Sequence, residues 1–241
     1  MRSLRSTGRI TGVLLLLHLA TGLITPYVML RPLAAPLTFN ANDAAKSFQV
    51  RLSVMLLFVG GAITIAVAVT ALPVFRQYAS ALAVWVIALA IANFSLQCVE
   101  NAAWMSLFNL SQDFGKLGAS ANVDAYNLIA AAVRSAWKWV HYTHLLVMVS
   151  WMFILFVTLW RSALVPRVLA ALGMLTTLMQ ITGITLPQFI PYPSPYPTAM
   201  GMPLGFVYLA LSVWLMVKGF EERRKRSVPG LSSPLPLGEV G

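Results

Sequence analysis

Charge is scarce in this chain. Asp, Glu, Lys and Arg make up 10% of its 241 residues, against 59% hydrophobic residues. A soluble domain of that size could not cover its apolar surface with so few charges. Acidic residues are scarcer still, 7 against 17 Lys and Arg. In water a net charge of +10 would suggest a nucleic-acid partner. Here the basic residues lie in short flanks between apolar runs, where the positive-inside rule and anionic headgroups account for them, so nucleic acid is not expected as a partner. The single cysteine, Cys98, excludes an intramolecular disulfide and a cysteine-only metal cage. No soluble domain and no internal repeat is visible to carry chemistry.

What the chain has instead is long uncharged runs: Ile10–Leu30, Leu52–Phe75, Gln77–Val99, Trp139–Trp160 and the fifty residues Val168–Val217. About 20 apolar residues in a helix cross the roughly 30 Å hydrocarbon core of a bilayer. The last run is too long for one crossing, and five prolines between Pro187 and Pro197 break it. Proline lacks an amide donor and clashes with the preceding turn, so this segment is expected as an extended hairpin at the membrane surface. Six spans result, at about 10–30, 52–75, 77–101, 139–160, 168–186 and 198–217. The expected fold is an all-α integral membrane bundle over residues 1–220, followed at 221–241 by a basic anchor and a disordered tail. Outer loops are expected at 32–50 and 109–137, the second holding an interfacial helix over Val123–Trp137 that runs into span four.

Orientation follows from the basic residues. With a cytoplasmic N-terminus, eleven lie on inner flanks (Arg2, Arg5, Arg9, Arg76, Arg161, Arg167, Lys218, Arg223, Arg224, Lys225 and Arg226) and six on outer ones (Arg31, Lys46, Arg51, Lys116, Arg134 and Lys138). Both termini are therefore expected in the cytoplasm. Arg223-Arg224-Lys225-Arg226 would rest on anionic inner-leaflet lipids. Cleavage of the first span as a signal peptide is the alternative. Its 21 uncharged residues exceed a usual apolar core, and Leu33-Ala34-Ala35 is the nearest approach to a cleavage site.

Polar side chains in hydrocarbon need a partner or a purpose. In span three Asn93, Gln97, Glu100, Asn101 and Trp104 recur at helical spacing and form a stripe that must face the bundle. Span four begins on the same outer side with Lys138, His141, Tyr142, Thr143 and His144, and its two histidines share a face. By depth, Glu100 meets His141 and His144. A carboxylate with two imidazoles has ligand types for a divalent transition metal, and the same groups relay protons. A structural tie between Glu100 and Lys138 or a histidine is the plain alternative. His18 in span one and Gln180, with Thr176 and Thr177, in span five are deep enough to line a cavity or to bond across helices. No cofactor is expected, and haem bridging His18 to His141 or His144 is disfavoured by their different depths. Gly12, Gly22, Gly60, Gly61, Gly173 and Gly183 allow close helix approach. Trp137, Trp139, Trp160, Trp214, Tyr27 and Tyr208 read as interfacial belts. Phe189, Tyr192 and Tyr196 of the hairpin are candidates to cap the bundle from outside.

Several short motifs in order give a family resemblance: Arg9-Ile10-Thr11-Gly12 and Thr21-Gly22 in span one, Phe48 with Arg51-Leu52 before span two, Glu100-Asn101 in span three, and Val165-Pro166-Arg167-Val168-Leu169 with Gly173 entering span five. Over roughly residues 6–220 the chain resembles a bacterial family of multi-pass membrane proteins, domain-of-unknown-function family 4386. The resemblance implies a prokaryotic inner-membrane protein and draws attention to Glu100. Members often carry a histidine near the start of span four, but His141 and His144 are displaced relative to Pro166-Arg167, so no role is transferred to them. The function expected from the residues is binding or moving a small solute or protons through an outer-leaflet polar cavity lined by Asn93, Gln97, Glu100, Asn101, His141 and His144. The alternatives are a membrane enzyme with a metal on Glu100, His141 and His144, or a non-catalytic accessory subunit of a membrane complex.

Overall fold

The computed structural model describes residues 3–30, 44–117, 122–190 and 196–221. Among them there is no strand. Six helices are each long and apolar enough to cross a membrane: α1 (Leu4–Leu23), α2 (Ala44–Tyr78), α3 (Ser80–Leu117), α4 (Val123–Ser162), α5 (Arg167–Thr185) and α6 (Tyr196–Lys218). The fold is the expected six-span all-α membrane bundle. Each helix packs on its neighbours in sequence, and α1 closes against α6 to make a ring. Faces turned outward carry Leu17, Val84, Ile91, Leu175 and Phe206, while Thr64, Asn93, Gln97 and Glu100 are buried. That distribution suits a chain whose surroundings are lipid.

Local sequence explains the ends. Ser3 caps α1 by accepting a hydrogen bond from the Ser6 amide at 3.2 Å. Pro26 has no amide to donate, and beyond Leu23 the helix widens into π-type turns over Ile24–Leu30. α4 starts from Asn122, whose side chain accepts from the Ala125 amide at 3.0 Å, with Asp124 in the first turn where the helix dipole favours it. Gly219 ends α6 with φ +75°, its amide bonding the Leu215 carbonyl at 2.8 Å.

Two expectations need correction. In the outer loop at 109–137 the helix expected over Val123–Trp137 is present as the start of α4, but the loop's first part is helix as well, α3 running on to Leu117. α3 has 38 residues and α4 has 40, so each is about 57–60 Å long and rises about 25–30 Å beyond a hydrocarbon core. The first charge marks the end of a hydrophobic run, not the end of a helix, and packing continues past it through Phe114 on Tyr126, ring centroids 4.2 Å apart. α2 likewise starts at Ala44, inside the loop expected at 32–50, and Arg51 lies over the Phe108 ring at 5.8 Å. The proline hairpin is partly helical: Pro187 sits in a short 3₁₀ turn, Leu186–Gln188, and Pro197 in the first turn of α6. The first turn of a helix tolerates proline because its amides have no partner there anyway. Phe189, a candidate cap, is 83% exposed. Pro191–Pro195, Arg31, the Leu33-Ala34-Ala35 site and the tail with Arg223–Arg226 lie outside the described residues.

The ring closes through glycines. Because α1 begins at Leu4, Gly8 precedes Gly12 by one turn of the same helix, a Gly-x-x-x-Gly spacing. It is used within the chain. A Cβ on Gly12 would lie 2.7 Å from the Met216 amide nitrogen, and one on Gly8 would meet Phe220. Arg9 donates to the Val217 carbonyl at 3.3 Å, and the Glu221 amide donates to the Leu164 carbonyl at 2.9 Å. The N-terminus, the α4–α5 link and the end of α6 therefore share one face of the ring. Gly12→Leu should destabilise the protein by about 1–3 kcal/mol through overpacking. Gly22→Ala, where a Cβ meets nothing within 4 Å, should be silent. Thermal unfolding in detergent measures both, and equal stabilities would refute this packing.

Candidate functional site

The polar stripe of α3 divides between two neighbours. Successive residues on a helix turn by about 100°, so Glu100 and Asn101 diverge by that angle although Asn93 and Gln97 lie between them. Asn93, Gln97 and Asn101 turn to α2. Asn93 Nδ2 donates to Thr64 Oγ1 at 3.4 Å, Gln97 Nε2 to Asn101 Oδ1 at 3.0 Å, and Asn101 Nδ2 to the Val54 carbonyl at 3.3 Å. Asn93 Oδ1 is buried without a partner among the described residues. Those three form a ladder tying α3 to α2.

Glu100 turns the other way. It lies 20 residues past Ser80, about 30 Å along α3. Its Oε1 is 2.8 Å from Nδ1 of His141 and its Oε2 is 2.7 Å from Nδ1 of His144. One carboxylate is thus clasped by two imidazoles one turn apart on α4, each oxygen taking one N–H. Lys138 is not its partner. The clasp is uneven in exposure: the His141 side chain is 41% exposed, whereas Glu100 at 6% and His144 at 8% are both buried. Charge-assisted hydrogen bonds of this kind are the strong ones, and the buried one is least screened.

Aromatic rings hold the exposed side of the clasp. Trp137, four residues before His141, stacks on it with centroids 5.2 Å apart and planes at 18°. Trp104, four residues after Glu100, meets Trp137 edge-on at 5.3 Å. Trp137 therefore packs directly against the clasp. Its spacing of one turn from His141 is the sequence signal that points to it. Tyr208 is no belt residue. It is 1% exposed, and its hydroxyl lies 3.0 Å from Nδ1 of His18. Gln180 does not reach His18; it lies beside Gly201, while Thr176 and Thr177 bond to carbonyls of their own helix.

The donor set does not fit a metal. Ligand atoms about 2.0–2.1 Å from a tetrahedral ion sit about 3.4 Å from one another. Here each nitrogen is 2.7–2.8 Å from a separate carboxylate oxygen, the spacing of a shared proton. Among the described residues, no group of three His, Cys, Asp or Glu side chains is arranged to hold an ion. Two recesses on the helix surfaces, one lined by Leu72, Arg76, Val84 and Ile91 and one by Leu82, Trp85, Ser150 and Ile181, include none of Asn93, Gln97, Glu100, Asn101, His141 and His144.

The clasp makes an energetic prediction. A double-mutant cycle pairing Glu100→Ala with His144→Ala should give a coupling of about 1.5–3 kcal/mol in unfolding experiments, since the bond is buried and charged. The cycle with His141→Ala should give less than about 1 kcal/mol because water screens that pair. The reverse order would mean that the exposed imidazole is the true partner.

No curated protein and no solved structure matches the chain. A family model does, over residues 10–219, a stretch that contains the Glu100 clasp and nearly all of the helix ring. The chain belongs to the family described as domain of unknown function (DUF4386).

Proposed function

We propose that this chain is a prokaryotic inner-membrane protein, both termini cytoplasmic, that takes up protons at Glu100 from the outer surface and moves them into the bundle. The observation that carries this reading is the uneven exposure of one carboxylate's two partners. His141 is 41% exposed, while Glu100 and His144 are both buried. Imidazole is the side chain suited to exchanging protons near neutral pH, and an exposed one lies 2.8 Å from Glu100 Oε1. Polar groups at membrane depth that serve only packing need no such exposed arm. Asn93, Gln97 and Asn101 would hold α3 in place rather than line the path. The basic run Arg223-Arg224-Lys225-Arg226 would seat the chain on anionic lipids of the cytoplasmic leaflet.

Proteoliposomes with a trapped pH-sensitive dye and an imposed potassium potential test the reading. Wild-type protein should acidify the lumen faster than protein-free vesicles, and Glu100→Gln should return the rate to that background. Equal rates for wild type and Glu100→Gln, both folded, would dismiss proton movement through this site. Orientation is tested separately in a Cys98→Ala background. A membrane-impermeant thiol reagent applied to whole cells should label Lys116→Cys and leave Ser3→Cys untouched; the opposite pattern would invert the topology.

A further inference from the structure

α2 and α3 are joined by Ala79 alone, so they run antiparallel and side by side from the point where the apolar run Leu52–Phe75 ends. Ala88 stands four residues after Val84 and three before Ile91, on one face of α3. A small side chain between two large ones leaves a gap. That gap is a recess of about 370 Å³ lined by Leu72, Arg76, Val84, Ile87, Ala88 and Ile91. Val84 is 59% exposed and Ile91 50%, so the recess opens outward to lipid and not into the ring.

Depth and charge both suit a phospholipid. Arg76 lies in the last turn of α2, and Ile91 lies 11 residues past Ser80, about 16 Å deeper along α3. Half of a hydrocarbon core is about 15 Å, the depth of one leaflet's acyl chains. Arg76 is exposed, and no carboxylate among the described residues pairs with it. Arg9, by contrast, is engaged by the Val217 carbonyl. A guanidinium at the head of an apolar groove is complementary to a phosphate that carries a hydrocarbon chain. The second recess, between Leu82, Trp85, Ser150 and Ile181, has no cation in its lining and offers a headgroup nothing to bind.

We infer that the α2–α3 recess binds one anionic phospholipid, its phosphate held by the Arg76 guanidinium and an acyl chain laid along Leu72, Val84, Ile87 and Ile91. This lipid site is independent of the proton reading and of the basic run Arg223-Arg224-Lys225-Arg226. Phe75, next to Arg76, packs on Phe220 at the end of α6, ring centroids 6.0 Å apart. The lipid therefore belongs to the leaflet on the side of the N-terminus and the end of α6, the cytoplasmic leaflet in the topology proposed above. Zwitterionic lipids also carry a phosphate, but an ammonium on the same headgroup offsets its charge. The lining of the recess holds no carboxylate to receive that ammonium, so a headgroup of net negative charge is preferred.

Native mass spectrometry of the full chain in mild detergent, titrated with phosphatidylglycerol or phosphatidylcholine, tests the site. Wild type should hold one phosphatidylglycerol about tenfold more tightly than phosphatidylcholine, the scale of one charge-assisted hydrogen bond. Arg76→Gln should abolish that preference. Ala88→Phe, at an exposed position, should fill the groove and weaken both lipids. Phosphatidylglycerol with a photoreactive group in its acyl chain should label the peptide that holds Val84, Ile87 and Ile91. Replacing Arg223, Arg224, Lys225 and Arg226 by Ser should change neither the preference nor the labelled peptide. Equal affinities in wild type, or a preference that survives Arg76→Gln, would overturn the site. Labelling confined to other helices would overturn it too, without relying on any variant. A preference lost with the basic run but kept in Arg76→Gln would place the lipid at that run instead.

Discussion

Hydrocarbon offers no hydrogen bonds, and that constraint organises everything inside this ring. Each polar side chain buried among the six helices must find its partner on a neighbouring helix or on its own backbone. Glu100 meets the demand most strictly, because it carries a full charge. Two histidines one turn apart on α4 satisfy both of its oxygens, and that requirement fixes the rotation of α3 against α4. With α3 rotated so, Asn93, Gln97 and Asn101 fall against α2 and tie the opposite side. Trp104 and Trp137, one turn farther out on the two helices, then close over the exposed imidazole. Functional geometry and helix packing are here consequences of one electrostatic obligation.

Much of this was legible in residue spacing. A polar stripe at three- and four-residue intervals can only face inward in a membrane helix, so the meeting of Glu100 with His141 and His144 followed from depth and face alone. Two kinds of feature escaped. Helix length was misjudged wherever a charge ended an apolar run. Water and partner helices satisfy a helix beyond the lipid as well as lipid-facing packing does within it, so α3 continues to Leu117 without a break. Partnerships between helices distant in sequence escaped as well. Nothing near Tyr208 announces His18, which lies 190 residues away, and a tyrosine is equally at home at an interface.

Small residues matter through the same logic. Lipid gives helices no hydrophobic reason to associate, so close contact must come from shape and hydrogen bonds. Gly8 and Gly12 let α1 approach the α6 backbone until Arg9 reaches the Val217 carbonyl. Gly219, in the left-handed region, turns the chain beneath α1 where a side chain would strike Arg5. That seam brings His18 and Tyr208 face to face.

The seam joins two helices made far apart in time, and this sets a timetable for biogenesis. At ribosomal speeds of about 5–20 residues per second, the 190 residues between His18 and Tyr208 take about 10–40 s to appear. Throughout that interval α1 is inserted with Thr7, Thr11 and His18 on a face whose final covering does not yet exist. Nascent chains of this protein must therefore wait in the bilayer with an open, polar edge, a state that membrane insertion machinery has to shelter and quality-control proteases are able to recognise.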